Sequence, residues 1–142
     1  MRDIIFRGKR IDNGEWVYGF LLFDAEQNEA YIAEYFEDKA AYLKKVIPET
    51  VGQYTGLKDI NGKMIFEGDI VKEEYEVFVS ARVKEKRVRI GYVEYESNSL
   101  CCRYYAYFWN DKKKWRGNFA IHCGCEIIGN IHDNPELLKG GD

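Results

Sequence analysis

Proline is scarce in this sequence, with two in 142 residues, and no repeat, low-complexity tract or polar linker divides the chain. These absences exclude a disordered or modular protein. With 46% apolar and 15% aromatic residues, enough apolar area exists to offset chain entropy. Also missing is any apolar run near the roughly 18 to 20 residues of a membrane span. Met1-Arg2-Asp3-Ile4-Ile5-Phe6-Arg7 passes from a charged start into a short apolar stretch that Arg7 ends, which does not have the form of a secretory leader. The expected location is the cytoplasm, with no membrane contact, where the four cysteines are expected as reduced thiols.

No charge sign dominates. The net charge is −3, with 8 basic and 11 acidic side chains in residues 1–62, 12 and 9 in residues 63–116, and 1 and 4 in residues 117–142. Nothing here is basic enough to require nucleic acid as a partner, although the middle third has room for a basic face. A recognisable catalytic or cofactor constellation is absent as well, so the expectation is a protein that is not an enzyme and carries no cofactor.

What is present points to a mainly β chain. Eleven tyrosines and eight phenylalanines accompany short apolar runs bounded by turn residues. Ile4-Ile5-Phe6 and Trp16-Val17-Tyr18-Gly19-Phe20-Leu21-Leu22-Phe23 flank Asn13-Gly14, which predicts an N-terminal hairpin closed by a two-residue turn. The returning run is apolar on both faces and reads as a strand covered on both sides, with Gly8 and Gly19 permitting close backbone approach. A polar loop over residues 24–28 and a strand at Tyr31-Ile32-Ala33 follow. Residues 37–45 have the composition of a short helix, and Pro48 biases Ile47 to extended geometry.

Further on, Val88, Ile90 and Tyr92 alternate with Arg87, Arg89 and Gly91, the period of a strand with one wet face, while residues 82–87 read as a charged loop or strand end. Strands are also expected at residues 101–109 and 126–131. Asp133-Asn134-Pro135 predicts a brief capped helix to follow.

The most ordered stretch is residues 53–71. Asn61-Gly62 accepts the positive φ of a tight reversal, Met64-Ile65-Phe66 makes one short strand, and Glu67-Gly68-Asp69 breaks the chain before Ile70-Val71. A Gly-Asp turn before a β-branched pair is similar to the strand entry of SH3-like barrels.

Phe6-Arg7-Gly8-Lys9-Arg10 with residues 13–19, Pro48-Glu49-Thr50-Val51-Gly52-Gln53-Tyr54-Thr55-Gly56-Leu57-Lys58-Asp59, Phe66-Glu67-Gly68-Asp69-Ile70-Val71 and Ile127-Ile128-Gly129-Asn130-Ile131 together resemble the YopX family of phage and prophage proteins. The resemblance runs from end to end and leaves only residues 73–125 without a fixed pattern. It implies one domain over residues 1–142: an N-terminal β annex and joint at 1–62, and an SH3-like barrel part at 63–138, with little helix. It also implies a phage or prophage origin, a bacterial host cytoplasm and no established activity. It carries over no catalytic residue. Gln53, Tyr54, Thr55, Gly56, Asp59, Gly62, Gly68 and Asp69 match its motif position by position, and turn formation and packing account for them.

Four sets of residues could carry chemistry. Cys101, Cys102, Cys123 and Cys125 with His122 are the right ligand types for zinc, but adjacent strand cysteines point to opposite faces, so small buried or half-exposed thiols are the better reading and no metal is expected. His122 and His132 as bases, or Glu67 with Asp69 as a carboxylate pair, lack a nucleophile or acid partner, which leaves a hydrolase as the weakest of the readings. The third set is Arg87 and Arg89 on a strand, with Trp109, Lys112, Lys113, Lys114, Trp115 and Arg116 around a hairpin tip. Cations neutralise phosphates and rings stack on bases, so these are the candidate contacts to single-stranded nucleic acid or another partner. Against this stands an ordinary reading in which Trp109 and Trp115 pair across the hairpin and the lysines solvate its turn. Fourth, aromatic edges suit a homo-oligomeric structural or host-interaction protein that binds no nucleic acid.

Overall fold

The structure is a computed structural model that describes residues 3–35, 41–97, 102–110, 113–118 and 124–138. It is mainly β, with eleven strands in antiparallel pairings and no α-helix among the described residues. The chain divides into two compact units, residues 1–56 and 57–142.

In the first unit, strands β1 (Phe6–Lys9), β2 (Trp16–Asp24), β3 (Glu29–Tyr35), β4 (Ala41–Val46) and β5 (Gly52–Lys58, which continues into the second unit) run in the order β4-β3-β2-β1-β5. β1 and β2 form the expected hairpin, with Phe6 opposite Gly19 and Lys9 opposite Trp16. Its connection is longer than two residues. The Arg10 N–H donates to the Glu15 carbonyl, the Gly14 N–H donates to the Arg10 carbonyl, and Asn13 Oδ1 accepts the Glu15 N–H, so Gly14 at φ +71° ends a wider loop. An Asx bond and the Gly14 backbone satisfy this loop as well as a tight reversal would.

The helix expected over residues 37–45 is not formed where the chain is described. Ala41–Val46 is strand β4, paired residue by residue with β3 from Tyr35 opposite Ala41 to Ala30 opposite Val46; residues 37–40 lie outside the described residues. Burying Val46 with Val17, Ala30 and Ile32, against Phe6, Leu21 and Val51, outweighs a helix-like composition. The end of β4 also meets the chain just after β1. The Ile47 N–H donates to the Lys9 carbonyl at 2.8 Å, the Ile11 N–H donates to the Lys45 carbonyl at 3.2 Å, and Arg10 bridges Val46. This contact is a single bridge and not a ladder. Close approach is why two glycines stand here: a Cβ on Gly8 would lie 2.7 Å from a Val46 methyl, and one on Gly19 would lie 2.0 Å from the Ala33 carbonyl oxygen.

The expectation that β2 is covered on both faces is corrected. Val17 and Leu21 face the core, while Tyr18, Phe20 and Leu22 on the alternate face are about half exposed. Its neighbours β1 and β3 flank β2 edge to edge, and lateral pairing leaves a face open that the composition alone suggests is covered.

In the second unit, β6 (Met64–Phe66) precedes β7 (Asp69–Ser80), β8 (Val83–Ser97), β9 (Cys102–Asn110), β10 (Lys113–Asn118) and β11 (Cys125–Asn130), the last five forming a sheet in the order β10-β9-β8-β7-β11. Among the described residues no ladder joins β10 to β11. Ile65, Val71, Val93 and Cys125 form the core, with Leu57 and Ile127 packed against them. The charged residues 83–87 are strand rather than loop, because β8 pairs with β7 as far as Val83 opposite Ser80. A 3₁₀ turn at Pro135–Leu138 stands where the brief capped helix was expected.

Candidate functional site

The stretch at residues 53–71 builds inward. Gln53 pairs with Phe6, and the Tyr54 N–H donates to the Ile5 carbonyl, leaving Tyr54 buried; Thr55 follows on β5, and Gly56 sits at φ +86° beside open space. Asp59 is buried, and its Oδ1 accepts the N–H groups of Asn61 and Lys63, both at 2.9 Å, while Oδ2 accepts that of Ile127 at 3.1 Å. Burial opposes the Asp59 charge, but the amides of Ile127, Lys63 and Asn61 outweigh it and hold its pKa below the usual carboxylate value. Gly62, at φ +80°, closes the turn by donating to the Asp59 carbonyl, and the Ile60 N–H donates to the Cys125 carbonyl. One turn is thereby bonded to β11 across some seventy residues of sequence.

Gly68 and Asp69 make a second clasp. Asp69 Oδ2 accepts the Phe66 N–H at 2.7 Å. The Gly68 N–H donates to the Val93 carbonyl, and its own carbonyl accepts the Ile131 N–H, so β8 and the end of β11 meet on one residue at φ +92°. Glu67, beside them, is half-buried. Burial pushes its carboxyl up, the Tyr95 amide lowers it in part, and the neighbouring Glu94 charge raises it further. Sequence patterns did not single out Glu67 for this, since the shift comes from strands brought together by the fold.

Several cation and aromatic candidates lie on this same sheet. Arg89 Nε and Nη2 both donate to Glu73 Oε2, and its guanidinium lies 5.1 Å from the Tyr75 ring. Arg87 Nη2 is 3.4 Å from Glu85 Oε2. Both arginines are therefore engaged by carboxylates of the chain. The β9–β10 hairpin places Lys113 opposite Asn110, Lys114 opposite Trp109, Trp115 opposite Phe108 and Arg116 opposite Tyr107. The expected Trp109 and Trp115 pair is thus corrected, since each tryptophan has a different cross-strand neighbour. In the ladder, Trp109, Tyr107, Lys114 and Arg116 occupy positions of one parity, which continues onto β8 at Tyr92, opposite Tyr107. Lys112 lies outside the described residues.

Cys125 is in the apolar core with Ile65, Val71 and Val93. Cys101, His122 and Cys123 fall outside the described residues, and among those described no trio of His, Cys, Asp and Glu is grouped to hold a metal. The His132 N–H donates to Asn130 Oδ1 in the turn after β11. Among the described residues no helix is long and apolar enough to cross a membrane.

A family model described as YopX protein matches residues 5–139. The chain belongs to the YopX family. The matched residues include the twin clasp just described, in which Asp59 accepts the Ile127 N–H of β11 and Gly68 bonds to Val93 of β8 and to Ile131. The YopX-family chain is also similar to a solved structure, the crystal structure of protein EF1440 from Enterococcus faecalis, at 25% sequence identity and a TM-score of 0.53, with 97% of this chain and 99% of that one covered. A comparison with curated proteins gives no match.

Proposed function

We propose that this YopX-family chain is a non-enzymatic binding module, encoded by a phage or prophage and acting in the bacterial host cytoplasm, that holds single-stranded nucleic acid on its β9–β10 hairpin. The observation that carries this reading is the ladder: Trp109 opposite Lys114 and Tyr107 opposite Arg116 alternate aromatic and cationic positions on the outermost strand pair of the sheet. Ring faces stack on bases of any identity, and cations follow the backbone phosphates. Arg87 and Arg89 contribute less, because Glu85 and Glu73 already neutralise them. In this reading the second unit is a bent, SH3-like module, and its motif acids Asp59 and Asp69 serve the backbone rather than acid–base chemistry.

Filter binding to single-stranded DNA and RNA across a salt series tests the proposal. Binding at low salt that falls steeply as salt rises is expected, and replacing Lys112, Lys113 and Lys114 with alanine reduces the salt slope by about 2 to 3 contacts without lowering Tm. Absent or salt-independent binding overturns it. A protein partner is the second reading, favoured by the open face of β2, where Tyr18, Phe20 and Leu22 stand about half exposed.

A further inference from the structure

The outer halves of β7 and β8 stand apart from the rest of the second unit's sheet. The β11 ladder on β7 reaches only Glu73, and the β9 ladder on β8 begins only at Gly91. Between these limits, Glu74–Ser80 and Val83–Val88 pair solely with each other among the described residues. A two-stranded ribbon of this kind is marginal in water by itself and gains from a surface laid against it.

Its two faces differ. On one, Tyr75 stands opposite Arg87 and Val77 opposite Glu85, and the charges there are matched within the chain, Arg87 to Glu85 and the adjoining Arg89 to Glu73. On the other, Glu74 is opposite Val88, Glu76 opposite Lys86 and Phe78 opposite Lys84. Here Phe78 is 70% exposed and Val88 53%. Lys84 lies 5.0 Å from the Phe78 ring and 3.5 Å from Glu76, which leaves Lys86 with no ion-pair partner among the described residues. Within the ribbon the acids of this face are on β7 and the lysines on β8, and Lys72 of β7 lies just beyond it, opposite Ile90.

We propose that this face docks against the same face of a second copy of the chain, with both ribbon tips pointing the same way. The charge pattern selects that geometry. A two-fold axis parallel to the ribbon lays β7 over the second copy's β8 at equal height, so Glu76 meets Lys86 of the second copy, and the reverse, while Phe78 covers the Lys84 stem. An axis across the strands, or edge pairing of β7 with β7 or β8 with β8, places like charge on like charge. This surface is separate from the β9–β10 hairpin, so it stands or falls apart from the nucleic-acid reading.

The test is charge complementation read by light scattering and sedimentation over a concentration series. The full chain is expected to dimerise with concentration, and Phe78→Asp, at an exposed site that leaves folding intact, weakens the dimer at least about tenfold. Glu76→Lys alone puts lysine over lysine in its homodimer, and Lys86→Glu alone puts glutamate over glutamate, so each is expected to be monomeric. An equimolar mixture of the two regains a dimer, because in the mixed pair both contacts are again opposite in sign. Only contact between copies gives that recovery, since a role inside one chain would be unaffected by mixing. A chain that stays monomeric throughout, variants that dimerise as well as the parent, or a mixture that stays monomeric would each overturn the proposal. So would a Phe78→Asp chain that dimerises normally yet loses oligonucleotide binding, which would assign the ribbon to nucleic acid. Retained dimerisation in the Lys112, Lys113 and Lys114 alanine variant is expected in every case where the proposal holds.

Discussion

Replacing Asp59 with alanine strands three backbone donors, those of Asn61, Lys63 and Ile127, inside the second unit. An unsatisfied buried donor costs about 1 to 3 kcal/mol, and partial hydration keeps the three from adding in full, so a loss of about 3 kcal/mol is expected in urea unfolding. Asp59→Asn should cost about half as much, since one amide oxygen still accepts but its NH2 group faces a donor. Asp59 and Glu67 also set opposite pH slopes. Because the Asp59 pKa is lowered by folding, its stabilisation is complete above the ordinary carboxylate range and disappears as pH falls through its folded value. Because the Glu67 pKa is raised, chiefly by burial, its contribution is present at low pH and is lost as pH rises through its folded value. Glu67→Gln keeps an acceptor for the Tyr95 amide while removing that charge. It should match or exceed the parent's Tm at neutral pH and flatten the stability profile just above the ordinary carboxylate range; a parent-like slope in that range would assign the effect elsewhere.

At the scale of elements, close approach rather than turn geometry makes Gly19 hard to replace. A Cβ there meets the Ala33 carbonyl at 2.0 Å, so Gly19→Ala has to move β3 and is expected to cost at least about 2 kcal/mol by thermal melting. Gly62 offers the opposite case, with open space but φ +80°, and Gly62→Ala should cost about 1 kcal/mol from backbone strain alone. Much of this level was legible in the residues. Asn13-Gly14, the Met64–Phe66 strand, the Gly68-Asp69 break and the Val88 to Tyr92 alternation all encode local geometry, and local geometry is what short-range patterns record. Two things were not legible. The helix-like composition of residues 37–45 gave no sign that Val46 would be buried by β3 and the chain after β1, and the apolar run of β2 gave no sign that one of its faces stays open. Both depend on which distant segment arrives as a neighbour. The candidate hairpin was visible as basic and aromatic residues. Its register, which separates Trp109 from Trp115, was set by the ladder.

For the molecule as a whole, the two units differ in how far apart in sequence their partners stand. The first unit's pairings lie within residues 6–53, from the β1–β2 hairpin to Gln53 opposite Phe6. In the second, Asp59 bonds to Ile127 and Gly68 to Ile131. A chain ended before Cys125 loses β11, the Cys125 core position, two bonds of the first clasp and one of the second. Hydrogen exchange on such a truncation should show lost protection at the amides of residues 61–63 and 66–73, with protection in β1 to β4 retained.

The same separation bears on synthesis. As the chain leaves the ribosome, the first unit has its backbone partners for β1 once Tyr54 has emerged, and it can close while translation continues. The second unit waits. With β7 and β8 already out but β11 still to come, the Asp59 carboxylate and the Gly68 carbonyl have no partner at the far end. The Asp59 and Gly68 clasps are then a latch that residues 127–131 close, and a nascent chain stalled before residue 127 presents it open to proteases.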